Sequence, residues 1–472
     1  MKNKKVFVKN IIYAFTAQAV ALLLSALMSL IVPKILGVQE YAYWQLFLFY
    51  TSYVGLFHFG LNDGIYLRLG GKNYEELNYS LVGTQIKMAT SFQLILAFIV
   101  IIISSFLIDD RERMFVLICT GVYLVLHNLH CFIGFIFQAV NQTKIYSISI
   151  MIEKSIFLLI VVILLIFKIN DSKLFILLYS FAKVVTVLYC VYEGRKLIFS
   201  KIYKITVGLK EIWLNISIGI KLTLANIAST LVIGIGRFII DNVWGIEVFG
   251  KFSFSLSLTQ FALLFISQVS MVLFPTLRQI NNEKQRVFYM NIKNILGIIL
   301  PIVYIAYIPV KYLLGFWLPQ YQESLEYLAL LLPLCTFDGK MNLLCTTYFK
   351  VLRKEKLLLK INILTVIISA ILCSISASFY YNIYFVIISL VISIVIRSIV
   401  SELILAKLMK TLIGGEIVAE VFLAILFMVV TWSFKSTYSF IIMIVAYLVF
   451  IYMNFSKIKE IISRFNESYD AQ

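Results

Sequence analysis

Five basic side chains stand inside long apolar runs of this 472-residue chain: Lys183, Lys221, Arg237, Lys340 and Arg397. An ionised group at bilayer depth costs roughly 2.5–3.5 kcal/mol on insertion scales, so each needs a partner or a purpose. The acids at comparable depth are chiefly Glu153 and Asp338. Such an excess of cations suits an anionic cargo that has left its water behind. No nucleophile with an adjacent base, P-loop or zinc-like Cys/His spacing accompanies them. The six cysteines (Cys119, Cys131, Cys190, Cys335, Cys345 and Cys373) all lie in apolar stretches with no CxxC pair, which reads as packing. The expected chemistry is binding and passage, with no catalytic residue, metal or cofactor.

The seventh apolar run carries the fullest pattern. At 100° per residue, Thr223, Asn226, Thr230 and Arg237 share one stripe, with Lys221 nearer the inner end. The first run repeats the spacing with Gln18, Ser25 and Ser29. Two matched stripes suit the facing walls of a cavity, with Gln18 opposite Asn226, although small polar residues also mediate ordinary helix packing in membranes. Asp338 and Lys340, two residues apart, must point in different directions. Lys340 is placed toward the cargo; Asp338 is left to pair with a cation or take up a proton. Asn62 and Asp63 end the second run, with His58 one turn earlier and Arg68 just beyond. His127 and His130 lack a neighbouring carboxylate in sequence and read as core.

These side chains need elements that can hold them in hydrocarbon. The chain is 61% hydrophobic and only 14% charged, too little charge to cover a soluble protein of this length. Long runs without period-two alternation mean helices rather than a barrel. The expected fold is an all-α polytopic membrane protein of about fourteen spans. They fall near 11–33, 42–64, 82–107, 114–139, 145–167 and 172–192, then 213–240, 249–274, 288–310, 325–349, 357–379 and 382–405, with two more near 417–434 and 437–455. An inside N-terminus places most Lys and Arg on the cytoplasmic side and the acidic 109–113 loop outside, giving N-in/C-in topology. The net charge of +17 thus describes membrane sidedness, and nucleic acid is not an expected partner. Prolines 275, 301, 309 and 333 mark places where the second half could bend.

The domain reading is a six-helix lobe over 1–193, a basic amphipathic cytoplasmic linker over 194–212, a second six-helix lobe over 213–406, and two extra helices with a short tail over 407–472. The linker interleaves Arg195, Lys196, Lys201, Lys204 and Lys210 with Leu197, Ile198, Ile202, Tyr203 and Ile205. It suits anionic membrane lipids, and equally a plain solvated connection. The halves repeat each other. Gly37-Val38-Gln39-Glu40-Tyr41-Ala42-Tyr43 answers Gly245-Ile246-Glu247-Val248-Phe249-Gly250-Lys251 at an offset of 208. Phe137-Gln138-Ala139-Val140 with Lys144 answers Phe349-Lys350-Val351-Leu352 with Lys356 at 212. Six helices per repeat make the lobes pseudo-symmetric about an axis along the membrane normal.

With the Gly37 and Gly245 turns, the segment Phe59-Gly60-Leu61-Asn62-Asp63-Gly64 with Arg68, and the count of six, six and two, the chain resembles a known family. It is similar to the polysaccharide-transporter (O-antigen/capsule repeat-unit flippase) branch of the multidrug/oligosaccharidyl-lipid/polysaccharide exporter superfamily. The resemblance implies two lobes around a cavity opening alternately to each side of a bacterial cytoplasmic membrane. It implies a polyprenyl-diphosphate-linked glycan as cargo, with the polymerase and glycosyltransferases of the same pathway as further partners. Arg237, Lys221, Lys340, Asn226 and Gln18 would then meet the cargo. Asp63, Asn62, Arg68 and Asp338 would gate or couple, while Lys183 and Arg397, on helices peripheral in that architecture, would be structural or snorkelling. The alternative is a secondary exporter of drugs or other small molecules on the same scaffold, for which acids rather than bases are expected in the cavity. An integral-membrane enzyme would usually show a long outer loop or an acidic motif, and this chain has neither.

Overall fold

The computed structural model describes residues 19–20, 22–279, 282–411 and 415–455, with side chains of 265–284 set aside. Helix accounts for nearly all of it, and no strand occurs among the described residues. The chain divides into two compact units, Met1–Ile227 and Ala228–Gln472.

In the first unit the order is α1 (Leu22–Leu30), α2 (Val32–Thr51), a 3-10 turn, α3 (Leu61–Leu69), α4 (Tyr79–Leu107), α5 (Arg111–Ala139), α6 (Thr143–Ile166), α7 (Ser172–Glu193) and the short α8 (Arg195–Ile198). Side chains begin several of these helices by satisfying free backbone N–H groups. Asn78 Oδ1 accepts from Leu81 N at 3.1 Å, Asp110 Oδ1 from Glu112 N at 2.8 Å, and Asp171 Oδ1 from Lys173 N at 2.8 Å. Helix α5 is central and packs on α2, α3, α4, α6 and α7. The core there is aromatic: Trp44 stacks on Phe157 at 5.8 Å between ring centroids, and Tyr179 meets Phe157 edge-on at 4.8 Å.

Helix α9 (Ile205–Gln279) runs on from the first unit into the second. After it come α10 (Asn282–Ile299), α11 (Val303–Trp317), α12 (Gln322–Leu331), α13 (Pro333–Lys340), a π turn over Met341–Thr346, α14 (Thr347–Val351), α15 (Glu355–Phe379), α16 (Ile383–Leu408), α17 (Glu416–Ser433) and α18 (Ser436–Met453). Of the expected bends, Pro301 lies in a 3-10 turn between α10 and α11, Pro309 lies inside α11, and Pro333 stands at a 44° break.

The repeat is visible in the backbone. Gly37 has φ 72°, ψ −177° and Gly245 has φ 80°, ψ −177°, a conformation essentially confined to glycine. The second matched pair behaves likewise. Asn141 (φ 60°) and Arg353 (φ 55°) are both left-handed, preceding matching bonds from Gln142 N to Phe137 O and from Lys354 N to Phe349 O, each 2.8 Å. Both sequence offsets therefore mark equivalent turns.

Among the described residues, ten helices are long and apolar enough to cross a membrane, or up to twelve if each of two bent pairs is one span. Their outward faces carry large apolar groups such as Phe106, Phe316 and Phe379, each over four-fifths exposed, as a lipid-facing surface should. The spans expected over 213–240 and 249–274 both fall in α9, one 75-residue helical element. At 1.5 Å per residue it would be about 110 Å long if straight, far beyond a bilayer, and Gly245 is where it breaks. One reading is corrected. The span expected over 42–64 is not one continuous α-helix: α2 stops at Thr51, a 3-10 turn covers Val54–His58, and left-handed Phe59 and Gly60 separate it from α3. The segment over 194–212, expected to be a basic amphipathic linker, lies against α4. Lys87 Nζ donates to Ser200 O at 2.6 Å, Ser200 Oγ to Tyr79 O at 2.9 Å, and Tyr203 N to Thr84 Oγ1 at 2.7 Å, so it is pinned along α4. Helix α9 itself begins at Ile205, and its residues to Ile227 belong with the first unit, not the second.

Candidate functional site

Helix α3 and the first turns of α9 approach until their backbones touch. A Cβ on Gly60 would fall 2.3 Å from Ile220 N, one on Gly64 1.9 Å from Asn215 O, and one on Gly219 2.0 Å from Gly60 O. Three glycines are thus required by the crossing. Polar bonds close its flanks. Thr223 Oγ1 donates to Asp63 Oδ2 at 2.5 Å. Arg68 reaches Glu211 at 2.8 Å and Asn215 Oδ1 at 2.8 Å, while Asn215 Nδ2 donates to Gln85 Oε1 at 2.7 Å. Asn62 is buried and its Nδ2 has no acceptor among the described residues. The structure therefore gathers Asp63, Asn62 and Arg68 at the crossing, with Asp63 accepting from the Thr223 hydroxyl. Glu211, Asn215 and Gly219 were not singled out in the sequence, because only the crossing gives them partners.

The polar stripe on α9 divides. Thr223 turns to α3, whereas Asn226 and Thr230 are exposed. Arg237 is half-buried, donates to Ser253 Oγ at 3.1 Å and lies over the Phe249 ring at 5.1 Å. Lys221 is exposed and makes no hydrogen bond or ion pair among the described residues. Gln18, expected opposite Asn226, lies outside the described residues.

Lys340 does not present a free cation. It is 1% exposed and bound by Glu402 at 2.9 Å and Glu420 at 2.8 Å. Lys293 lies beside it, 3.4 Å from Glu402 and 2.9 Å from Glu416. Asp338, two residues before Lys340, turns the other way and pairs with Arg397, whose Nη1 donates to Ser229 at 3.1 Å. In the first unit Lys183 holds Glu153 at 2.7 Å and contacts His130 Nδ1 at 3.0 Å. Lys183 and Arg397 are thus structural pairs, and His130 is a packed partner of one. The expected surplus of buried cations needs correcting. Glu402, Glu416 and Glu420 were not counted among the acids at depth, yet they pair with Lys340 and Lys293.

Among the described residues, long helices with apolar outer faces, breaks within spans and buried ion pairs define a polytopic helical membrane protein. The solved structures it resembles agree in fold. One is titled "Lipid II flippase MurJ, inward closed conformation", with TM-score 0.68 and 14% identity, covering 96% of this chain and 100% of that one. An inward-facing multidrug resistance MATE family transporter of the MOP superfamily matches at TM-score 0.59 and 13% identity, over 82% of this chain and 94% of that one. A MOP superfamily transporter from Pyrococcus furiosus, whose title reports reverse polarity of its binding pocket, matches at 0.51 and 12%, over 85% and 96%. No curated protein matches by sequence. The family model described as polysaccharide biosynthesis protein matches residues 7–281, and the chain belongs to that family.

Proposed function

We propose that this protein moves a polyprenyl-diphosphate-linked oligosaccharide from the inner to the outer leaflet of a bacterial cytoplasmic membrane by alternating access. The observation that carries this reading is Lys221, an exposed ammonium on a membrane helix with no acid bound to it among the described residues. A diphosphate in transit needs such a charge to replace its hydration. Exposed Asn226 and Thr230 further along α9 would meet sugar hydroxyls. The contacts of Asp63, Arg68 and Thr223 would form the cytoplasmic gate in its closed state. Nothing in this scheme asks the chain to make or break a covalent bond.

Export of cationic drugs on the same scaffold is the second reading, favoured by the MATE-like neighbours. It needs an available acid, and Glu153, Asp338, Glu402 and Glu420 are each held by a Lys or Arg. The deciding experiment follows delivery of lipid-linked glycan to the outer face of proteoliposomes. Lys221→Ala should slow it by about tenfold or more, the size of a lost charge-assisted hydrogen bond, and Lys221→Arg should recover part of the rate. Full transport by Lys221→Ala at normal expression would remove the central cation from the mechanism.

A further inference from the structure

The segment from Arg195 to Lys210 holds five basic residues, Arg195, Lys196, Lys201, Lys204 and Lys210, and no Asp or Glu. Helix α4, against which it lies, has Lys87 as its only charged residue. The ammonium groups of Lys196, Lys201, Lys204 and Lys210 enter no ion pair or hydrogen bond among the described residues, and Lys201 and Lys204 are exposed.

Two glycines bring this strap and the start of α9 onto α4. A Cβ on Gly83 would fall 2.0 Å from Leu197 O, and one on Gly208 3.0 Å from Thr84 Cγ2. Together with the bonds from Lys87 to Ser200 O and from Tyr203 N to Thr84, they fix two walls of an open cavity of about 370 Å³. One wall is a face of α4 that carries Thr84, Lys87, Ser91 and Ile95, spaced three or four apart. Ile202 and Ile205 form the other.

The α4 wall changes character along the helix. Lys87 spends one of its three N–H donors on Ser200 O and keeps two. Ser91, one turn on, is exposed, and its hydroxyl makes no hydrogen bond among the described residues. Phe92 and Ile95, 43% and 58% exposed, follow. At 1.5 Å per residue, Lys87, Ser91 and Ile95 succeed one another at intervals of about 6 Å. A cation, a hydroxyl and an apolar lane in that order match the phosphate, the ester carbonyls and the acyl chains of a glycerophospholipid.

We propose that this cavity is a binding site for one anionic glycerophospholipid. The phosphate takes the free donors of Lys87, and Lys201 and Lys204 at the rim favour a headgroup with net negative charge over a zwitterionic one. The Ser91 hydroxyl donates to an ester carbonyl, and an acyl chain lies along Phe92 and Ile95. A polyprenyl diphosphate has no ester carbonyl to offer Ser91 and fits less well. Occupancy ties the strap to α4 and so holds the first turns of α9. None of this depends on the transport reading above.

Native mass spectrometry of the full-length protein tests the site, with phosphatidylglycerol or phosphatidylcholine added at equal concentration. One phosphatidylglycerol should be retained in preference. Lys201→Gln/Lys204→Gln should weaken its retention by about tenfold or more. Lys196→Gln/Lys210→Gln, the same loss of charge beyond the cavity walls, should change it by about twofold or less. Ile95→Trp fills the apolar lane without altering charge and should weaken retention too. Equal losses in the two lysine pairs would reduce the attraction to net charge and overturn the site. So would undiminished binding by Ile95→Trp, or no preference between the two lipids. Undecaprenyl diphosphate retained ahead of phosphatidylglycerol would overturn the choice of occupant. Phosphatidylglycerol should also raise the unfolding temperature of the wild type but not of Ile95→Trp; an equal rise in both would overturn the hold on α9.

Discussion

Arg397 is 2% exposed, with one guanidinium nitrogen on Asp338 and another on Ser229. Burying the two charges together balances them, whereas removing one strands the other. Asp338→Asn or Arg397→Met alone should cost about 3–5 kcal/mol, and the Asp338→Asn/Arg397→Met double variant far less than the sum. Thermal unfolding in detergent across the four proteins of the cycle measures this; additive losses would mean that the pair is not coupled. Arg68 behaves differently because it and Glu211 are about a quarter exposed. Arg68→Ala should change stability by about 1 kcal/mol or less. If the contact belongs to a gate, the larger effect is on glycan delivery, read in the same proteoliposome assay.

At the level of elements, glycine does two separate jobs. At Gly37 and Gly245 nothing lies within 4 Å of a would-be Cβ, so the requirement is the backbone conformation alone. Gly37→Ala and Gly245→Ala should each lower stability by about 1–3 kcal/mol, to similar extents, since their φ and ψ nearly coincide. Unequal losses in thermal melts would argue against equivalent turns. At Gly60, Gly64 and Gly219 the requirement is the approach of α3 to α9. Cysteines placed by Asp63→Cys and Thr223→Cys, where the native side chains touch, should form a disulfide readily. Adding Gly64→Ala should cut the yield sharply, because its Cβ would collide with Asn215 O. An undiminished yield would show that the crossing tolerates a methyl group.

For the whole molecule, the division at Ile227 and Ala228 falls within a helix rather than in a loop. The first part of α9 is gripped by α3 and α4 through Arg68, Gly60, Gly64 and Gln85, and the remainder belongs to the second unit. The double variant Asp63→Ala/Arg68→Ala removes the three polar contacts these residues make with α9 and should raise labelling of a cysteine at Thr223 from the cytoplasmic side in intact proteoliposomes. Unchanged labelling would show that glycine packing alone keeps the crossing shut.

Membrane residence, helical class and the repeated turns were legible in the sequence because each is a local property. Apolar run length, the absence of alternation and a glycine at a set offset all act within a few residues. The cluster Asp63, Asn62 and Arg68 was also visible, since it lies on one short helix. What the tertiary structure alone decided is which buried charges are answered. Lys340 finds Glu402 and Glu420 at sequence separations of 62 and 80, and no pattern along the chain announces such a meeting. Lys221 and Lys340 look alike in sequence, as lysines in apolar runs. Folding leaves the first open and encloses the second among carboxylates, because electrostatic pairing depends on distances between helices that only packing sets.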